Sequence, residues 1–416
     1  MKIGQVAKKY SISKDNLYYY INYGLLVPPK RNAQYDFDEA TLRDLERILQ
    51  LKETDYSLAE IHRILSLYLV SSAGNPEDRA QLKQFYIDKR TECVEKIRRY
   101  EQIIEDLDRQ IVELSVTEEA AKVHTGLPFT FFDLLCCPVC GKTFSISDVN
   151  MDMEYIYDGS LTCTCGYHAV IEDGILITPN GYQGEADKPD TERELYKDLP
   201  PSLISLFQRA YNNMKEDLLK MDLKNKVVME TYINAWFFLH NHQRFFPAEG
   251  RYIIVDKFPE TLRMYKDLIE RQNYRLPILF LADSSTSFPI RKGCVDLNID
   301  FFASNEHNFY HDSLLLEELK PFFSSNGRTV GTYFSFPSGR LSMKNLLREY
   351  PGSSKNNFSL PWFEQETERC GFRLLHENLC GSTIDSGDNL GFSFHEYGEE
   401  MQLTTYLASI ESFRPR

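Results

Sequence analysis

The stretch that decides the fold of the first domain is MKIGQVAKKYSISKDNLYYYINYGLL, residues 1–26. Apolar residues between Ile3 and Ala7 recur at the spacing of one helix face. After a polar break, Ser13 is a suitable N-cap for a second helix, which Gly24 ends. Two short helices joined in this way predict a helix-turn-helix.

The next forty residues extend this motif into a compact head. Pro28 and Pro29 then stop any further helix, and the basic turn Lys30-Arg31-Asn32 follows them. Tyr35 and Phe37 alternate with polar residues, which predicts a short wing strand. Asp38 and Ser57 are suitable caps for a third and a fourth helix with apolar faces.

Several segments of the head also keep the spacing of a known family, namely Ile3–Ala7, Leu17–Tyr20, Tyr23–Leu26, Pro28-Pro29, Tyr35, Asp38-Glu39 and Tyr56–Ile61. By these segments, residues 1–70 resemble the winged helix-turn-helix head of the MerR family of bacterial transcription regulators. In that family the second helix enters the major groove and the wing grips the adjacent backbone. The resemblance implies that eight residues face double-stranded promoter DNA: Ser13, Lys14, Asn16, Tyr18 and Tyr19 from the helix, and Lys30, Arg31 and Tyr35 from the wing.

Two positions depart from the family pattern. Tyr18 and Asp36 stand where the family usually has arginines that contact phosphates. Each lost phosphate contact should flatten the salt dependence of binding by about 0.9 log unit. Asp36 would also repel the DNA backbone. We therefore expect weak binding by one head and a greater need for a paired site.

Residues 76–116 predict a long helix that pairs two chains. Seven residues follow a four-three spacing that is typical of a coiled coil: Cys93, Ile97, Tyr100, Ile104, Leu107, Ile111 and Leu114. The position matches the antiparallel dimer helix of the MerR family. A homodimer would place two heads on a two-fold axis to bind a pseudo-palindrome, with RNA polymerase on the same promoter. The alternative is a single helix that packs on later domains of its own chain.

The cysteines point to a metal site. The chain has nine, and five of them lie between Cys136 and Cys165. A disulfide framework is not expected in a large cytoplasmic protein. Two cysteine pairs about twenty residues apart, each near a glycine, predict a zinc ribbon over residues 131–179.

Four thiolates would close a tetrahedral site, so the zinc is expected to be structural. The expected ligands are Cys137, Cys140, Cys163 and Cys165. The second pair is one residue tighter than usual, and Cys136 or His168 could substitute. Reduced cysteines without metal are the alternative.

Strands and helices alternate from Lys226 onward, which predicts a parallel sheet with helices on both faces. By the order of its elements, the segment from Lys226 to Leu403 resembles the fold of S-adenosylmethionine-dependent methyltransferases. We assign residues 190–416 to this Rossmann-like domain. The resemblance implies cofactor contacts for Asp256, which follows the second strand, and Asp283, which follows the third.

The first loop of this domain departs from the family. Residues 230–236 contain no glycine, although the family has a glycine-rich turn there that makes room for the cofactor. A degenerate domain that senses S-adenosylmethionine or a related small effector, or that only packs, is therefore expected. Nearby aromatic side chains could line a ligand pocket, but we favour a core role for them: Tyr232, Trp236, Phe237 and Phe258. The alternative is an active methyltransferase that carries a DNA-binding head.

The bulk composition agrees with a multidomain protein of α and α/β class. The net charge is −14 over 416 residues, whereas residues 1–70 are near neutral, so DNA contact should be confined to the head. No apolar run approaches the roughly 20 residues of a membrane span, and no signal peptide is apparent. We expect a cytoplasmic regulator without membrane contact.

Overall fold

The structure is a computed structural model that describes residues 1–32, 34–69, 75–116, 124–185, 187–195, 197–234, 236–272 and 276–411. The chain divides into two compact units, Met1–Ser115 and Val116–Arg416. No helix within the described ranges is long and apolar enough to cross a membrane.

The first unit begins with the head. Its elements are α1 (Ile3–Lys9), α2 (Lys14–Asn22), the hairpin of β1 (Lys30–Arg31) and β2 (Gln34–Tyr35), α3 (Glu39–Glu53) and α4 (Leu58–Leu69). The three predicted caps are confirmed, because Ser13, Asp38 and Ser57 accept hydrogen bonds from the backbone N–H groups of Asn16, Thr41 and Glu60. Apolar residues from all four helices and from the wing form one buried core, including Val6, Leu17, Phe37, Leu45 and Ile61.

A single helix of 41 residues, α5 (Pro76–Val116), completes this unit. At 1.5 Å per residue it is about 60 Å long. Its first half packs on the head: the Tyr56 hydroxyl donates to the carbonyl of Phe85 at 3.1 Å, and Lys96 Nζ lies 2.7 Å from Asp55 Oδ2. Six of the seven predicted heptad residues, from Ile97 to Leu114, are exposed, and Cys93 is half-buried.

The second unit is built on one sheet of 12 strands. Its strands in chain order are β3 (Leu127–Pro128), β4 (Ser145–Met151), β5 (Tyr155–Thr162), β6 (His168–Glu172), β7 (Ile175–Ile177), β8 (Val227–Thr231), β9 (Arg251–Asp256), β10 (Ile278–Ala282), β11 (Val295–Phe301), β12 (Phe323–Ser335), β13 (Phe372–Thr383) and β14 (Met401–Ile410). The spatial order is β13-β14-β12-β11-β8-β9-β10-β7-β6-β5-β3, and β4 pairs with β5.

The strand order confirms the expected Rossmann-like sheet. The strands from β8 to β12 lie in the order β10-β9-β8-β11-β12 and are parallel, which is the 3-2-1-4-5 order of doubly wound sheets. β14 then inserts antiparallel between β12 and β13. The winding reverses between β8 and β11, and ligands of such sheets bind at the carboxyl ends of strands near this switch point.

The cysteine-bearing segment shares this sheet. β7 pairs in parallel with β10, and β6, β5 and β3 continue the sheet in antiparallel order. Arg251 of β9 also forms a salt bridge to Asp133 at 2.8 Å. The two segments that the sequence suggested separately, residues 131–179 and 190–416, therefore belong to one compact unit.

Helices cover both faces of the sheet. One face packs against α6 (Pro201–Leu219) and α8 (Pro259–Arg271), and the other packs against α10 (Leu315–Leu319) and α12 (Leu360–Arg369). Shorter helices are α7 (Phe238–Asn241), α9 (Ala303–His307) and α11 (Leu341–Glu349). The paired prolines Pro200 and Pro201 stand at the start of α6, where the fixed φ of proline suits the first helical position.

Candidate functional sites

The eight residues expected to face DNA lie on α2, at its N-cap and in the wing. Seven are exposed, and Tyr35 is half-buried. Leu17 and Tyr20 turn the opposite face of α2 into the core. The ring of Tyr18 meets the ring of Tyr35 edge-on at 6.2 Å, so the helix and the wing are joined by an aromatic contact. Lys30 places its ammonium 5.0 Å from the centre of the Tyr35 ring.

Asp36 lies beside this surface with its charge partly compensated. Its Oδ2 is 3.3 Å from the Nε of Arg31. Its Oδ1 is 3.1 Å from the N-terminal ammonium of Met1, so two cations lie beside the carboxylate that the sequence predicts to repel the DNA backbone. The ion pair also means that Arg31 shares its positive charge with Asp36, which leaves Lys14 and Lys30 as the less engaged cations of the surface.

The four expected cysteine ligands converge in the second unit. The sulfur atoms of Cys137, Cys140, Cys163 and Cys165 all lie within 4.8 Å of one another. Sulfur atoms 3.4 Å apart join Cys137 to Cys165 and Cys140 to Cys163. A Zn–S bond of about 2.3 Å separates the thiolates of a tetrahedral site by about 3.8 Å, so this donor set fits a zinc ion.

The tight second pair has a structural explanation. Gly141 N–H donates to the carbonyl of Cys137, four residues earlier, whereas Gly166 N–H donates to the carbonyl of Cys163, three residues earlier. The second turn is one residue shorter, and both glycines have positive φ, 72° and 93°. Cys136 and His168, the suggested substitutes, are not part of the group of four within the described chain.

Asp256 and Asp283 lie at the carboxyl ends of β9 and β10, as expected, but both carboxylates are engaged by the chain itself. Asp256 accepts backbone N–H groups from Asn234 at 2.7 Å and Phe258 at 2.9 Å. Asp283 accepts the hydroxyl of Thr178 at 2.6 Å and the backbone N–H of Ser285 at 2.6 Å. Burial raises the pKa of Asp256 to about 6, although the two N–H donors and the nearby Lys257 act to lower it.

The glycine-free loop fills the space between these acids. Tyr232 has φ 59°, a left-handed conformation that favours glycine, and its hydroxyl lies 2.7 Å from His307 Nδ1. Ala235 of this loop lies outside the described residues. The cavity that remains between Tyr232, Asp256 and Asp283 is about 20 Å³, which holds roughly one water molecule. S-adenosylmethionine does not fit this arrangement.

The expected core role of the surrounding aromatics matches their burial. Phe237 and Phe258 are buried, and Trp236 packs between Phe207 and Phe301 at centroid distances of 5.5 and 6.0 Å. Apolar packing therefore accounts for Trp236, Phe237 and Phe258, whereas Tyr232 is half-buried and its hydroxyl contacts His307.

A second cavity, which was not predicted from the sequence, lies beside the end of β11. This cavity, of about 80 Å³, is bordered by Asp187 and Glu306 and by aromatic rings. Next to it lies Lys257, directly after Asp256 in sequence and only 8% exposed. Its Nζ is 2.5 Å from Asp187 Oδ2 and 3.7 Å from Glu306 Oε1. The feature of the sequence that could have indicated this site is Lys257, which directly follows the strand-end acid Asp256.

His307, His311 and Glu318 form a second group whose donor atoms lie within 4.8 Å of one another. The two imidazole rings stack at 4.3 Å with an interplanar angle of 9°. A metal ion lies in the plane of each imidazole that binds it, and two stacked, nearly parallel planes share no such position. We assign these side chains to a hydrogen-bond network with Tyr232, Ser313 and Thr286.

Comparison with known proteins identifies the head. Residues 1–67 match the model of the MerR HTH family regulatory proteins. The head is a MerR-type helix-turn-helix domain. Among curated proteins, no sequence matches the chain. Membership of this domain family implies binding to double-stranded DNA, as expected from the sequence.

The solved structures similar to the chain include methyltransferases. One is a SAM-dependent methyltransferase from Aquifex aeolicus, with 15% identity, a TM-score of 0.35, and coverage of 53% of this chain and 98% of that one. Another is phosphoethanolamine N-methyltransferase 2 from Haemonchus contortus, with 9% identity, a TM-score of 0.34, and coverage of 48% and 52%. With TM-scores below 0.5 these likenesses carry no argument, and the Rossmann-like assignment rests on the strand order.

Proposed function

We propose that this protein is a transcription regulator that binds promoter DNA as a homodimer through its MerR-type heads. The observation that carries the proposal is the match of residues 1–67 to the MerR HTH family. It is supported by the exposed surface of α2 and the wing, where Lys14, Tyr19 and Lys30 are free of the core. The near-neutral head on an acidic chain supports DNA contact at this surface alone.

Pairing through α5 is supported by its exposed apolar stripe. Ile97 and Ile104 are each 56% exposed, Leu107 is 52% exposed and Leu114 is 73% exposed. Burying one such side chain contributes about 1.5–3 kcal/mol, so several together favour a helix pair over solvent exposure. Heptad spacing favours a coiled coil with a second copy of α5.

We propose a structural zinc ion on the four thiolates. Four sulfur ligands leave no open coordination position for a substrate. The zinc would close the two cysteine turns at one end of the sheet. The proposal is supported by the convergence of the four sulfur atoms, which all lie within 4.8 Å of one another.

For the α/β part of the second unit we propose an effector-binding or structural role without methyl transfer. Its support is the engagement of Asp256 and Asp283 by backbone and hydroxyl donors and the cavity of about 20 Å³ between them. An effector that binds one conformation better would change the geometry of the paired heads and the deformation energy of the promoter bound by RNA polymerase.

The test is DNA binding by the full-length chain. Fluorescence anisotropy with overlapping duplexes from the region upstream of its own gene should identify one fragment with two half-sites in inverted orientation. Mass measurement should give two chains per duplex. A chain that remains monomeric and binds no duplex at low ionic strength would contradict the proposal.

A further inference from the structure

The cavity of about 80 Å³ beside the end of β11 has the size of a small ligand site. At about 10–15 Å³ for each water position, it holds roughly five to eight waters. Its walls are mostly aromatic, and Asp187 and Glu306 supply carboxylates. The aromatic residues that matter below are Phe302, Phe309, Tyr310, Tyr350 and Phe358.

Lys257 shows that this part of the fold stabilises a desolvated cation. Its Nζ lies 4.3 Å from the ring centre of Tyr310, 5.1 Å from that of Tyr182 and 5.4 Å from that of Phe258. A cation over an aromatic face at these distances gains attraction from the ring quadrupole. The same environment continues into the cavity, because Tyr310 and Asp187 border both Lys257 and the cavity.

The charges around the cavity do not balance. Asp187 and Glu306 face one ammonium, and Asp187 takes the closer position at 2.5 Å. Glu306 is 3.7 Å from that ammonium, and its side chain retains 19% exposure. Among the described residues that line the cavity, none is lysine, arginine or histidine. A second cation in the cavity would compensate the Glu306 carboxylate.

Two bulky residues of the cavity wall have a left-handed backbone. Phe302 and Phe358, both in the cavity wall, have φ of 66° and 61°. A bulky residue in the left-handed region costs on the order of 1–3 kcal/mol, and such strain clusters at ligand sites. The asparagine at the wall, Asn305, is already engaged with Phe334 and Asn357. Glu306 and aromatic faces therefore remain for a ligand.

We propose that this cavity binds a small alkylammonium cation, with Glu306 as its counter-ion and the aromatic rings around its alkyl groups. The proposal deepens the effector role and rests on it. Methylated ammonium groups suit these walls better than primary amines, because aromatic faces attract the cation without accepting strong hydrogen bonds. Anionic ligands would meet a surplus carboxylate.

The experiment compares choline with 3,3-dimethylbutan-1-ol, its neutral isostere, by calorimetric titration of the full-length chain. We expect choline to bind at least tenfold more tightly than the neutral alcohol. Glu306→Gln should remove this difference, whereas Glu368→Gln, at an exposed position, should preserve it. Tyr350→Ala should weaken choline binding because it removes one aromatic ring from the cavity wall and leaves Glu306 unchanged.

Circular dichroism and DNA binding of each variant check that it folds. If Glu306→Gln folds poorly, Glu306→Asp replaces it as the test. This variant keeps the charge on a shorter side chain, so we expect it to retain part of the choline affinity. Equal affinity for the two compounds, or no binding of either by the folded parent, would overturn the proposal. DNA binding in the same preparation would then leave the proposed regulator function intact, whereas its loss would count against that function separately.

Discussion

The Oδ2 atom of Asp256 accepts a hydrogen bond from the backbone N–H of Asn234, 2.7 Å away. This contact joins the end of β9 to the loop after β8. A carboxylate at a strand end that could meet a ligand instead fixes the loop that covers it. Tyr232 of that loop then occupies the space between the strand ends. The glycine-free loop is therefore held over the strand ends by this hydrogen bond, and only a cavity of about 20 Å³ remains there.

We predict that Asp256 stabilises the fold and does not bind a cofactor. Asp256→Ala leaves two buried N–H donors, those of Asn234 and Phe258, without an acceptor. The expected loss is about 2–4 kcal/mol in the free energy of unfolding, measured by urea denaturation. Asp312→Ala, at an exposed position, is the control and should cost little. Micromolar binding of S-adenosylmethionine that disappears in Asp256→Ala would contradict this assignment.

Zinc binding by the four cysteines can be tested with a control at Cys136, which is adjacent in sequence to the expected ligand Cys137. We expect one zinc ion per chain in the parent and in Cys136→Ser, and none in Cys140→Ser, because only the latter removes one of the four converging thiols. Metal content by mass spectrometry measures this. Cys140→Ser should also melt at a lower temperature, by roughly 2–4 °C per kcal/mol lost. Zinc retained by Cys140→Ser would refute the ligand set.

Ile104 tests the helix pair. Ile104→Glu places a charge on the heptad stripe, which is desolvated when two helices meet, and should weaken the dimer by more than roughly a hundredfold. Sedimentation equilibrium measures the dissociation constant. Gln102→Glu introduces the same charge on the opposite side of α5 and should leave the dimer unchanged. Dimers of equal strength in the two variants would show that the stripe packs elsewhere.

Lys14 tests the DNA surface. Lys14→Ala should reduce the slope of log affinity against log salt by about 0.9, because one phosphate contact is lost. Arg109→Ala removes the same charge from the exposed part of α5 and should keep the slope of the parent. Anisotropy titrations at four or five salt concentrations provide the measurement. An unchanged slope for Lys14→Ala would remove this residue from the interface.

Choline affinity should depend on pH through Glu306. Burial raises the pKa of Glu306 to about 7, and the nearby Lys257 opposes this rise. The cation binds the ionised carboxylate, so affinity should be constant above about pH 7 and fall by up to tenfold per pH unit below it. Other groups face Glu306 and can shift this midpoint: Asp187, Asp256, Tyr232 and Tyr310. Glu306→Gln should bind weakly and equally across this range, and a parent profile without a step would contradict the assignment.

The sequence by itself determined the local elements of the protein. Ser13, Asp38 and Ser57 cap helices because their side-chain oxygens reach N–H groups only a few residues away. The heptads predicted α5, and the cysteine spacing predicted the four converging thiols, since both depend on short-range geometry. Alternating strands and helices predicted the parallel sheet.

Tertiary structure alone decided how the strand ends are used. Asn234, after β8, contacts Asp256 at the end of the neighbouring strand β9, 22 residues later, and Thr178 contacts Asp283, 105 residues later. Lys257, Asp187 and Glu306 come from three separate segments and meet only because their strands and loops end at one edge of the sheet. Hydrogen bonds and charge pairs over such separations depend on the packed fold, and no spacing along the chain encodes them.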